Sequence, residues 1–242
     1  MKTIAIIQAR MGSSRLPGKV LMPLGETCVL DYIVSRTRMI AGVAEVVVAT
    51  TTDGRDDAIA DWCASKGVAV YRGSETNVLS RFLEAAAPRQ PDTVIRVTAD
   101  NPFFDYETAS RCVELGAAER ADLVRFEPDC YPLGMAVELV DYEALRKIGR
   151  LATEPRHLEH VTLYAYEHPE QFRIVRAPVP EALRHPELRI TMDTEEDYQL
   201  MRAVASAFPG MKAVSTAEVV SFLLTRPELV RLNRHIEQKP VV

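Results

Sequence analysis

The sequence predicts an α/β protein built on a mostly parallel sheet. Apolar runs that suit buried strands alternate with helical segments through the first half of its 242 residues. Val46, Val47 and Val48 form an unbroken apolar run, as in a parallel strand that is covered on both faces. A loop rich in glycine and arginine follows the first strand, which is where open α/β sheets bind their ligands.

Each element is predicted from its own pattern. Strand 3–9 begins with consecutive apolar residues, and helix 29–40 carries apolar residues at helical spacing. Gly67 ends helix 56–66, Pro88 ends helix 77–87, and Thr194 is the N-cap of a late helix. The predicted strands are 3–9, 45–51, 68–71, 93–98, 122–126, 136–140, 172–176 and 188–191. The predicted helices are 29–40, 56–66, 77–87, 106–118, 156–167, 194–208, 216–224 and 227–236.

Composition narrows the class of protein. Hydrophobic residues make up 47% of the chain and charged residues 26%, which is ordinary for a globular protein. No apolar run is long enough to cross a bilayer, and the first residues lead into a strand without a cleavage site, so we expect a cytoplasmic protein. The four cysteines are scattered, which favours neither a zinc site nor disulfides. A net charge of −5 without a basic block disfavours binding to a nucleic-acid polymer.

The loop after the first strand has the features of a phosphate-binding loop. Its arginines and lysine supply three cations, and its glycines and serines leave backbone N–H groups open to a polyanion. Two common phosphate-loop patterns, Gly-x-x-x-x-Gly-Lys-Ser/Thr and Gly-x-Gly-x-x-Gly, are both missing. The loop predicts a nucleoside triphosphate or another phosphorylated ligand; the alternative is a solvated basic loop that only caps a strand. The candidate residues at this end of the sheet are Gln8, Ala9, Arg10, Gly12, Ser13, Arg15, Lys19 and Thr98.

Two aspartates directly follow predicted strands, Asp100 early in the chain and Asp193 late. A triphosphate is accompanied by Mg²⁺, which is usually held by one or two carboxylates together with phosphate oxygens. We therefore expect Asp100 and Asp193 to form a pair of metal ligands. Each also has a structural alternative, because Asp100 could form an Asx turn and Asp193 could cap a helix.

Further polar residues suggest contacts to a base and to a second substrate. Arg72 and Ser74 follow strand 68–71 and could hydrogen-bond a pyrimidine carbonyl and ring nitrogen, or could form a surface turn. His160 could donate to an acceptor phosphate, phosphonate or carboxylate, or could satisfy a buried carbonyl. The candidate acceptor-binding residues are Tyr131, Gly134, Glu138, Arg156 and His160.

The regular alternation of strand and helix ends near Ala121, where prolines and glycines become frequent. Variable substrate recognition is commonly carried by such irregular elements. We predict one domain, 1–242, in three parts. These are a nucleotide-binding half at about 1–120, acceptor-binding elements at about 121–192, and carboxyl-terminal helices at 193–242.

The chain resembles the bacterial cytidylyltransferases of the spore coat polysaccharide biosynthesis SpsF type, relatives of the acylneuraminate and 3-deoxy-manno-octulosonate cytidylyltransferases. The resemblance covers about residues 2–208. It rests on Ile-Ile-Gln-Ala-Arg-Met-Gly-Ser-Ser-Arg-Leu-Pro-Gly-Lys-Val-Leu, Val-Ala-Thr-Thr-Thr, Tyr-Arg-Gly-Ser-Glu, Val-Leu-Ser-Arg-Phe, Arg-Val-Thr-Ala-Asp-Asn-Pro, Glu-His-Val-Thr and Thr-Met-Asp-Thr-Glu-Glu-Asp. Where many members read Thr-Ser-Asp-Cys-Pro, this chain has Thr-Ala-Asp-Asn-Pro, which keeps the aspartate. Leu133 stands where members often carry an arginine, and this departure bears on the identity of the acceptor.

The resemblance implies a nucleotidyltransferase fold like that of GT-A glycosyltransferases, a three-layer, Rossmann-like sandwich with a mixed, mainly parallel sheet, often in a homodimer. It implies transfer of CMP from CTP to an anionic acceptor, with Mg²⁺ and with loss of pyrophosphate. The matching positions are Arg10, Ser13, Arg15 and Lys19 for the triphosphate, Arg72 and Ser74 for cytosine, and Asp100 and Asp193 for the metal.

We therefore expect an acceptor oxygen to attack the α-phosphorus of CTP in line, with catalysis by positioning and charge neutralisation. Lys19 and Arg15 would stabilise the leaving pyrophosphate, and Asp100 would act through the metal. One alternative is a GT-A-type glycosyltransferase that uses a sugar-nucleotide donor, although the chain lacks an Asp-x-Asp triplet near Asp100. The other is a non-catalytic nucleotide-binding subunit.

Two properties stay open at this stage. The acceptor could be an anionic sugar or sugar acid, a phosphorylated polyol or a phosphonate. The apolar residues near the carboxyl end could form a dimer face or pack on their own sheet; they are Phe222, Leu223, Leu224, Leu229 and Val230.

Overall fold

The computed structural model describes residues 1–127 and 129–238. The predicted parts 121–192 and 193–242 therefore include positions, 128 and 239–242, that lie outside the described residues. The strands are β1 (Thr3–Gln8), β2 (Pro23–Leu24), β3 (Thr27–Cys28), β4 (Val43–Thr51), β5 (Ala69–Gly73), β6 (Thr93–Thr98), β7 (Leu123–Phe126), β8 (Glu138–Asp141) and β9 (Ile174–Ala177). The helices are α1 (Val29–Thr37), α2 (Asp57–Ser65), α3 (Val78–Ala86), α4 (Tyr106–Glu119), α5 (Tyr142–Leu151), α6 (Pro155–Glu159), α7 (Leu163–Glu167), α8 (Glu195–Ala207), α9 (Thr216–Leu224) and α10 (Pro227–Val230).

The main sheet has seven strands in the order β5-β4-β1-β6-β8-β7-β9. Strands β5, β4, β1 and β6 run parallel, β8 runs antiparallel to both of its neighbours, and β9 is parallel to β7. Strands β2 and β3 form a separate small hairpin. The prediction of a mixed, mainly parallel sheet is confirmed.

Helices cover both faces of this sheet. Ala5 and Ile7 of β1 pack into one core with α1, α2, α4, α8 and α9, while Ile4 and Ile6 pack into a second core with α3, α5 and α7. This alternation is the period of two expected of a strand that is buried on both faces. The result is the three-layer sandwich that the family resemblance implies. No helix in the described part of the chain is long and apolar enough to cross a membrane.

Most predicted elements match the structure to within a few residues. Three do not, and the structure also adds helix α5 and the β2–β3 hairpin. Helix α5 was not predicted, although Asp141 caps it by accepting a hydrogen bond from the backbone of Ala144 at 3.0 Å. Its Gly149 lowers helix propensity but permits close contact with α3, because a Cβ there would lie 2.5 Å from Leu83 Cδ1. Helix 156–167 is broken into α6 and α7, and helix 227–236 shortens to α10.

The predicted strand 188–191 is wrong. Apolar and polar residues alternate in it as in a strand, and all four residues are buried, but the segment forms only an isolated parallel bridge between Leu133 and Arg189. The backbone of Ile190 donates to Leu133 O at 2.8 Å. The segment is extended because its side chains enter the core, yet its partner is a loop rather than a strand of the sheet.

The carboxyl-terminal apolar residues pack mainly on the protein's own core. Leu223 is fully buried, and Phe222, Leu229 and Val230 are half-buried against the same core. Leu224 is the exposed member. The stripe therefore follows the second of the two alternatives, and a homodimer stays a prediction that rests on the family resemblance.

A buried arginine ties the first helix to the carboxyl-terminal helices. Arg36 of α1 has no exposed surface, and its guanidinium donates to the carbonyl oxygens of Phe104, Lys212 and Val214 at 2.7–3.0 Å. It also donates to Thr216 Oγ1 at 3.2 Å. Burial lowers the pKa of Arg36 to about 10, so the side chain keeps its proton at neutral pH and the carbonyl dipoles stabilise the charge.

Replacing Arg36 by Met should destabilise the fold strongly. The change leaves three buried carbonyl oxygens without donors, and each such loss costs about 1–3 kcal/mol, so we expect the free energy of unfolding to fall by about 3 kcal/mol or more. Urea unfolding followed by circular dichroism measures it. Arg38→Met, at an exposed position at the end of the same helix, is the matched control. An Arg36→Met variant that is as stable as this control would contradict the role assigned to the network.

Candidate active site

The loop after β1 has two arms, one over the end of β4 and one toward β6. Its first arm, residues 9–12, runs over the end of β4, where the backbone of Ala9 donates to Ala49 O at 3.2 Å. Gly12 then passes beside Arg55 and Glu75. A Cβ added at this position would lie 3.6 Å from Arg55 Nη1 and from Glu75 Oε1. The chain turns back because the backbones of Ser13 and Gly18 both donate to Met11 O at 2.9 Å. Its second arm, residues 15–19, therefore lies toward β6.

The first arm is fixed by a buried carboxylate that sequence reasoning missed. Asp56 is 2% exposed and accepts from the backbone of Met11 at 2.7 Å. It also accepts from the backbone of Thr51 at 3.1 Å and from the Thr51 hydroxyl. Asp56 is the first residue of the predicted helix 56–66, and only the fold shows that it anchors the phosphate loop.

The second arm brings the predicted lysine to both predicted aspartates. Lys19 Nζ lies 3.2 Å from Asp100 Oδ2 and 2.9 Å from Asp193 Oδ1. Arg15 Nη2 lies 3.0 Å from Asp193 Oδ2. The two acidic segments are joined directly, since the backbone of Met192 donates to Asp100 O at 2.9 Å. Residues that are 174 positions apart therefore converge at one point, as the sequence predicts.

A buried ion pair holds Asp193 in place. Arg189 and Asp197 form a two-pronged salt bridge with both N···O distances at 2.9 Å. Asp197 Oδ2 also accepts from the backbone of Asp193 at 3.0 Å, and Arg189 Nη2 reaches Asp193 Oδ2 at 3.2 Å. In the sequence, Asp197 looks like one of several acids that complement the dipole of helix 194–208 in its first turn. Its buried pairing could not be recognised without knowing that segment 188–193 packs against α8.

Three cations surround Asp193. Burial raises the pKa of Asp193, but the neighbouring Lys19, Arg15 and Arg189 outweigh it and hold the pKa below its ordinary value. The carboxylate is therefore ionised at neutral pH.

A cleft of about 480 Å³ opens around these groups. Nine of the predicted nucleotide and metal residues line it: Gln8, Ala9, Arg10, Ser13, Arg15, Lys19, Thr98, Asp100 and Asp193. Gly12, Arg72 and Ser74 are not among its lining residues. The structure thus gathers most of the predicted nucleotide and metal contacts into one cavity, which we call the nucleotide cleft.

Arg72 is bonded to the protein itself. Its Nε donates to Thr51 O at 2.9 Å, its Nη2 donates to Asp53 O at 3.0 Å, and its Nη1 lies 2.7 Å from Asp57 Oδ1. Ser74 Oγ accepts from the backbone of Asn77 at 3.1 Å. Both residues therefore stabilise turns beside the nucleotide cleft, as the surface-turn alternative expects.

A second cavity of about 490 Å³, the acceptor cavity, adjoins the nucleotide cleft. Tyr131, Gly134 and Glu138 line it as predicted. Gly134 has a φ of +92°, and a Cβ there would lie 2.5 Å from Ile190 O, so this position requires glycine. The residues that line both cavities are Arg96, Thr98, Asn101, Leu133 and Gly134.

Two predicted acceptor residues lie elsewhere. Arg156 is paired with Glu154 at 2.8 Å and with Glu167 at 2.5 Å, and it lines neither cavity. His160, in the break between α6 and α7, lines the nucleotide cleft instead of the acceptor cavity. Burial lowers the pKa of His160, which favours a neutral imidazole at pH 7.

Glu138 supports the wall of the acceptor cavity. Its carboxylate accepts from Arg96 Nη1 and Thr162 Oγ1, both at 2.8 Å, and from the Tyr166 hydroxyl. Burial raises the pKa of Glu138, but Arg96 and the donated hydrogen bonds outweigh it and lower the pKa. These donors already occupy both carboxylate oxygens of Glu138. We therefore assign Glu138 to positioning the cavity wall rather than to binding a ligand.

Sequence reasoning missed the cation that this cavity offers to a ligand. Arg125 of β7 lines the acceptor cavity, and its guanidinium stacks over the Tyr166 ring at 4.4 Å. Within residues 1–127 and 129–238, it forms no salt bridge or side-chain hydrogen bond. It was overlooked because an arginine in a short strand carries no motif.

The fold, the anchored loop and the two aspartates define a nucleotide-binding protein of the nucleotidyltransferase class. The cytidylyltransferase family model matches residues 4–229, and the chain belongs to this family. The expectation from the sequence motifs is confirmed.

Relatives cover nearly the whole chain. The spore coat polysaccharide biosynthesis protein SpsF of Bacillus subtilis is 38% identical over 228 residues, which are 92% of this chain and 94% of that protein. The 3-deoxy-manno-octulosonate cytidylyltransferase of Escherichia coli is 26% identical over 249 residues, covering 93% of this chain and 97% of that protein. A solved cytidylyltransferase from Leptospira borgpetersenii superposes with a TM-score of 0.89 at 29% identity, covering 99% of this chain and all of that one.

Replacing Asp193 by Asn should change the pH dependence of stability. Because the folded-state pKa is lowered, the ionised carboxylate stabilises the native state above its ordinary pKa of about 4, and this stabilisation is lost as pH falls through the folded-state value. We expect wild type to be more stable than Asp193→Asn at neutral pH, with a difference that shrinks below about pH 4. Urea unfolding between neutral and acidic pH measures it. Asp61→Asn, at an exposed position, is the control, and a difference that does not vary with pH would refute the ion-pair account.

Proposed function

We propose that this protein transfers CMP from CTP to an anionic acceptor and releases pyrophosphate, in the synthesis of precursors for surface polysaccharides or glycoconjugates. The main support is that two cavities share a wall. One holds the phosphate loop and the two aspartates, and the other holds Arg125, which has no ion-pair partner among the described residues. Family membership supports cytidylyl transfer, and the names of the SpsF and 3-deoxy-manno-octulosonate relatives support a carbohydrate pathway. The cytoplasm and a homodimer remain our predictions for compartment and assembly.

The ion pairs of the nucleotide cleft suit a ligand that arrives with several negative charges. Lys19 and Arg15 balance Asp100 and Asp193, so no unpaired charge is left in the second arm before a nucleotide binds. A triphosphate would draw Lys19 and Arg15 onto its oxygens. Both aspartates would then be free to hold the cation that accompanies the nucleotide.

The two aspartates fit Mg²⁺. Carboxylate oxygens from both residues lie 2.9–3.2 Å from a single cationic nitrogen, so they already converge on one positive charge. Mg²⁺ is commonly held by one or two carboxylates while phosphate oxygens and water complete its shell. Among residues 1–127 and 129–238, no cluster of three or more His, Cys, Asp or Glu could hold a metal, which matches a site completed by the nucleotide. When bound, Mg²⁺ would act as a Lewis acid on the phosphate.

The proposed reaction forms a bond between an acceptor oxygen and the α-phosphorus of CTP and breaks the bond to the bridging oxygen of the β-phosphate. An acceptor hydroxyl would lose its proton in this step, whereas a phosphate or phosphonate oxyanion would attack without proton loss. Lys19 and Arg15 would stabilise the charge on the departing pyrophosphate. Rigid placement of the two substrates across the shared wall would supply the orientation that in-line displacement needs.

Asp100→Ala should abolish most of the activity and leave the fold intact, because the Asp100 side chain pairs only with Lys19 among the residues that the structure describes. We expect turnover to fall by at least about 100-fold, as is typical when a group that stabilises transition-state charge is removed. Pyrophosphate release with CTP, Mg²⁺ and a panel of acceptors measures it. The panel contains 3-deoxy-manno-octulosonate, glycerol 3-phosphate and 2-hydroxyethylphosphonate.

Asp61→Ala is the control, and full turnover by Asp100→Ala would remove Asp100 from the catalytic site. Calorimetry of wild type with CTP, UTP and a sugar nucleotide, with and without Mg²⁺, tests the nucleotide separately. Preference for the sugar nucleotide would contradict the proposed function.

Arg125→Gln should weaken binding of the acceptor alone. A charge-assisted hydrogen bond to the acceptor anion would be lost, so we expect the acceptor KM to rise about tenfold or more while the KM for CTP stays unchanged. Arg125→Lys, which keeps the charge, should recover part of the affinity. Arg176→Gln is the matched control because Arg176 is the exposed register partner of Arg125 on β9. Equal acceptor KM values for Arg125→Gln and the control would exclude Arg125 from the acceptor site.

A further inference from the structure

Arg36 and Arg81 are among the largest fully buried side chains, and they differ in the hydrogen bonds that their guanidinium groups donate. Arg36 donates five hydrogen bonds to four oxygen atoms. Arg81 of α3 is 2% exposed, and its Nε and Nη1 are buried without a hydrogen-bond partner among the described residues. A buried cation that lacks partners is costly, so a fold that retains one needs a reason other than stability.

The acids around Arg81 do not neutralise it. Asp56 and Glu75 are close enough to raise its pKa, but burial and the charge of Arg10 lower the pKa overall. Asp56 is occupied by Met11 and Thr51, and Glu75 is paired with Arg55 at 3.2 Å. No salt bridge to Arg81 is found in the described part of the chain.

Arg81 lies at the first arm of the phosphate loop. A Cβ on Gly73, at the end of β5, would lie 3.0 Å from Arg81 Cγ. Three charged residues shift the pKa of Arg81, and all three belong to this region: Arg10 lies in the first arm, Asp56 anchors this arm, and Glu75 flanks Gly12. Arg81 is thus on the β4–β5 side of β1, whereas Lys19, Asp100 and Asp193 gather on the β6 side.

This division of the loop would orient a bound nucleotide. If the cations and aspartates of the second arm bind the triphosphate, the nucleoside would extend along the cleft toward the first arm. Arg10 lines the cleft at that end, whereas Arg81 does not, so a base would reach Arg81 only after neighbouring side chains move. Both charged side chains beside Arg81 are exposed enough to turn outward, Arg10 by 40% and Glu75 by 44% of the side chain.

We propose that Arg81 reads the base of the nucleotide by donating two parallel hydrogen bonds, from Nη1 and Nη2, to the O2 and N3 atoms of cytosine. Its guanidinium has only donors, and O2 and N3 of cytosine are both acceptors. Uracil carries a proton on N3 and presents a donor there, so it would leave one N–H of Arg81 unpaired. This inference rests on the proposed use of CTP and gives that preference a physical cause. It also assigns the base contact to Arg81 rather than to Arg72, whose nitrogens are bonded to the protein.

The Arg81→Met variant distinguishes recognition of the base from a structural role of Arg81. Methionine keeps an unbranched apolar stem and has no charge, so removing a buried cation whose Nε and Nη1 lack partners among the described residues should leave the melting temperature unchanged or raise it. The affinity for CTP should fall about tenfold or more, the range expected for hydrogen bonds from a charged group, and the preference for CTP over UTP should shrink. Tripolyphosphate, which has no base, should bind wild type and variant equally. Calorimetry in Mg²⁺ and thermal unfolding supply the readouts.

Arg36→Met is the matched control, since it removes a buried arginine whose hydrogen bonds are made, and it should lower the melting temperature. Arg81→Lys, which keeps a cation but lacks the planar fork, should retain less of the CTP preference than wild type. Unchanged CTP affinity in Arg81→Met, or equal losses for CTP and tripolyphosphate, would overturn the assignment of Arg81. A large fall in melting temperature would also overturn it, because Arg81 would then be a structural residue. Failure of wild type to bind CTP would instead overturn the proposed function.

Discussion

The site depends on one cation held between two carboxylates. Lys19 Nζ contacts Asp100 and Asp193 at 3.2 and 2.9 Å, and these three residues come from the loop after β1, the end of β6 and the start of α8. Like charges would separate without the lysine, so the ion pairs bring both acids to one point before any ligand arrives. The buried pair of Arg189 and Asp197 stabilises this arrangement, because Asp197 accepts a hydrogen bond from the backbone of Asp193. A preformed cluster of this kind loses little conformational entropy when a nucleotide binds.

Whether a polar side chain is available to a ligand depends on the partners that it already has. Glu138 and Arg72 look equally suited to bind ligands in the sequence, yet their oxygens and nitrogens are used by the protein itself. Arg125 and Arg81 lack such partners within the described residues, and one faces a cavity while the other is buried beside the phosphate loop. Buried polar groups are nearly always satisfied, so the unsatisfied ones indicate where a ligand completes the structure.

The same distinction explains which parts of the site could be predicted. The phosphate loop and Asp100 were found because each follows a buried strand, and parallel strands place their carboxyl ends at one edge of the sheet. Asp193 was found because it follows an alternating apolar segment that looks like a strand, although this segment pairs with a loop instead of joining the sheet. Asp56, Asp197 and Arg125 carry no such signal. Asp56 follows a strand by only a few residues but acts on a loop 45 positions earlier in the chain. Arg156 was chosen from a helical pattern, and the break between α6 and α7 leaves it paired with Glu154 and Glu167 outside both cavities.

The sequence alone determined the layered α/β architecture, the position of the phosphate loop and the family, because hydrophobic period, glycine placement and ordered motifs are local properties. Tertiary structure decided that segment 188–191 pairs with a loop, that α5 forms against α3, and which charged groups are left unpaired. These outcomes depend on contacts between distant residues, such as Leu133 with Arg189 and Gly149 with Leu83. A pairing between distant groups changes the free energy of a side chain without leaving a pattern in the neighbouring residues, and for that reason only the fold could reveal it.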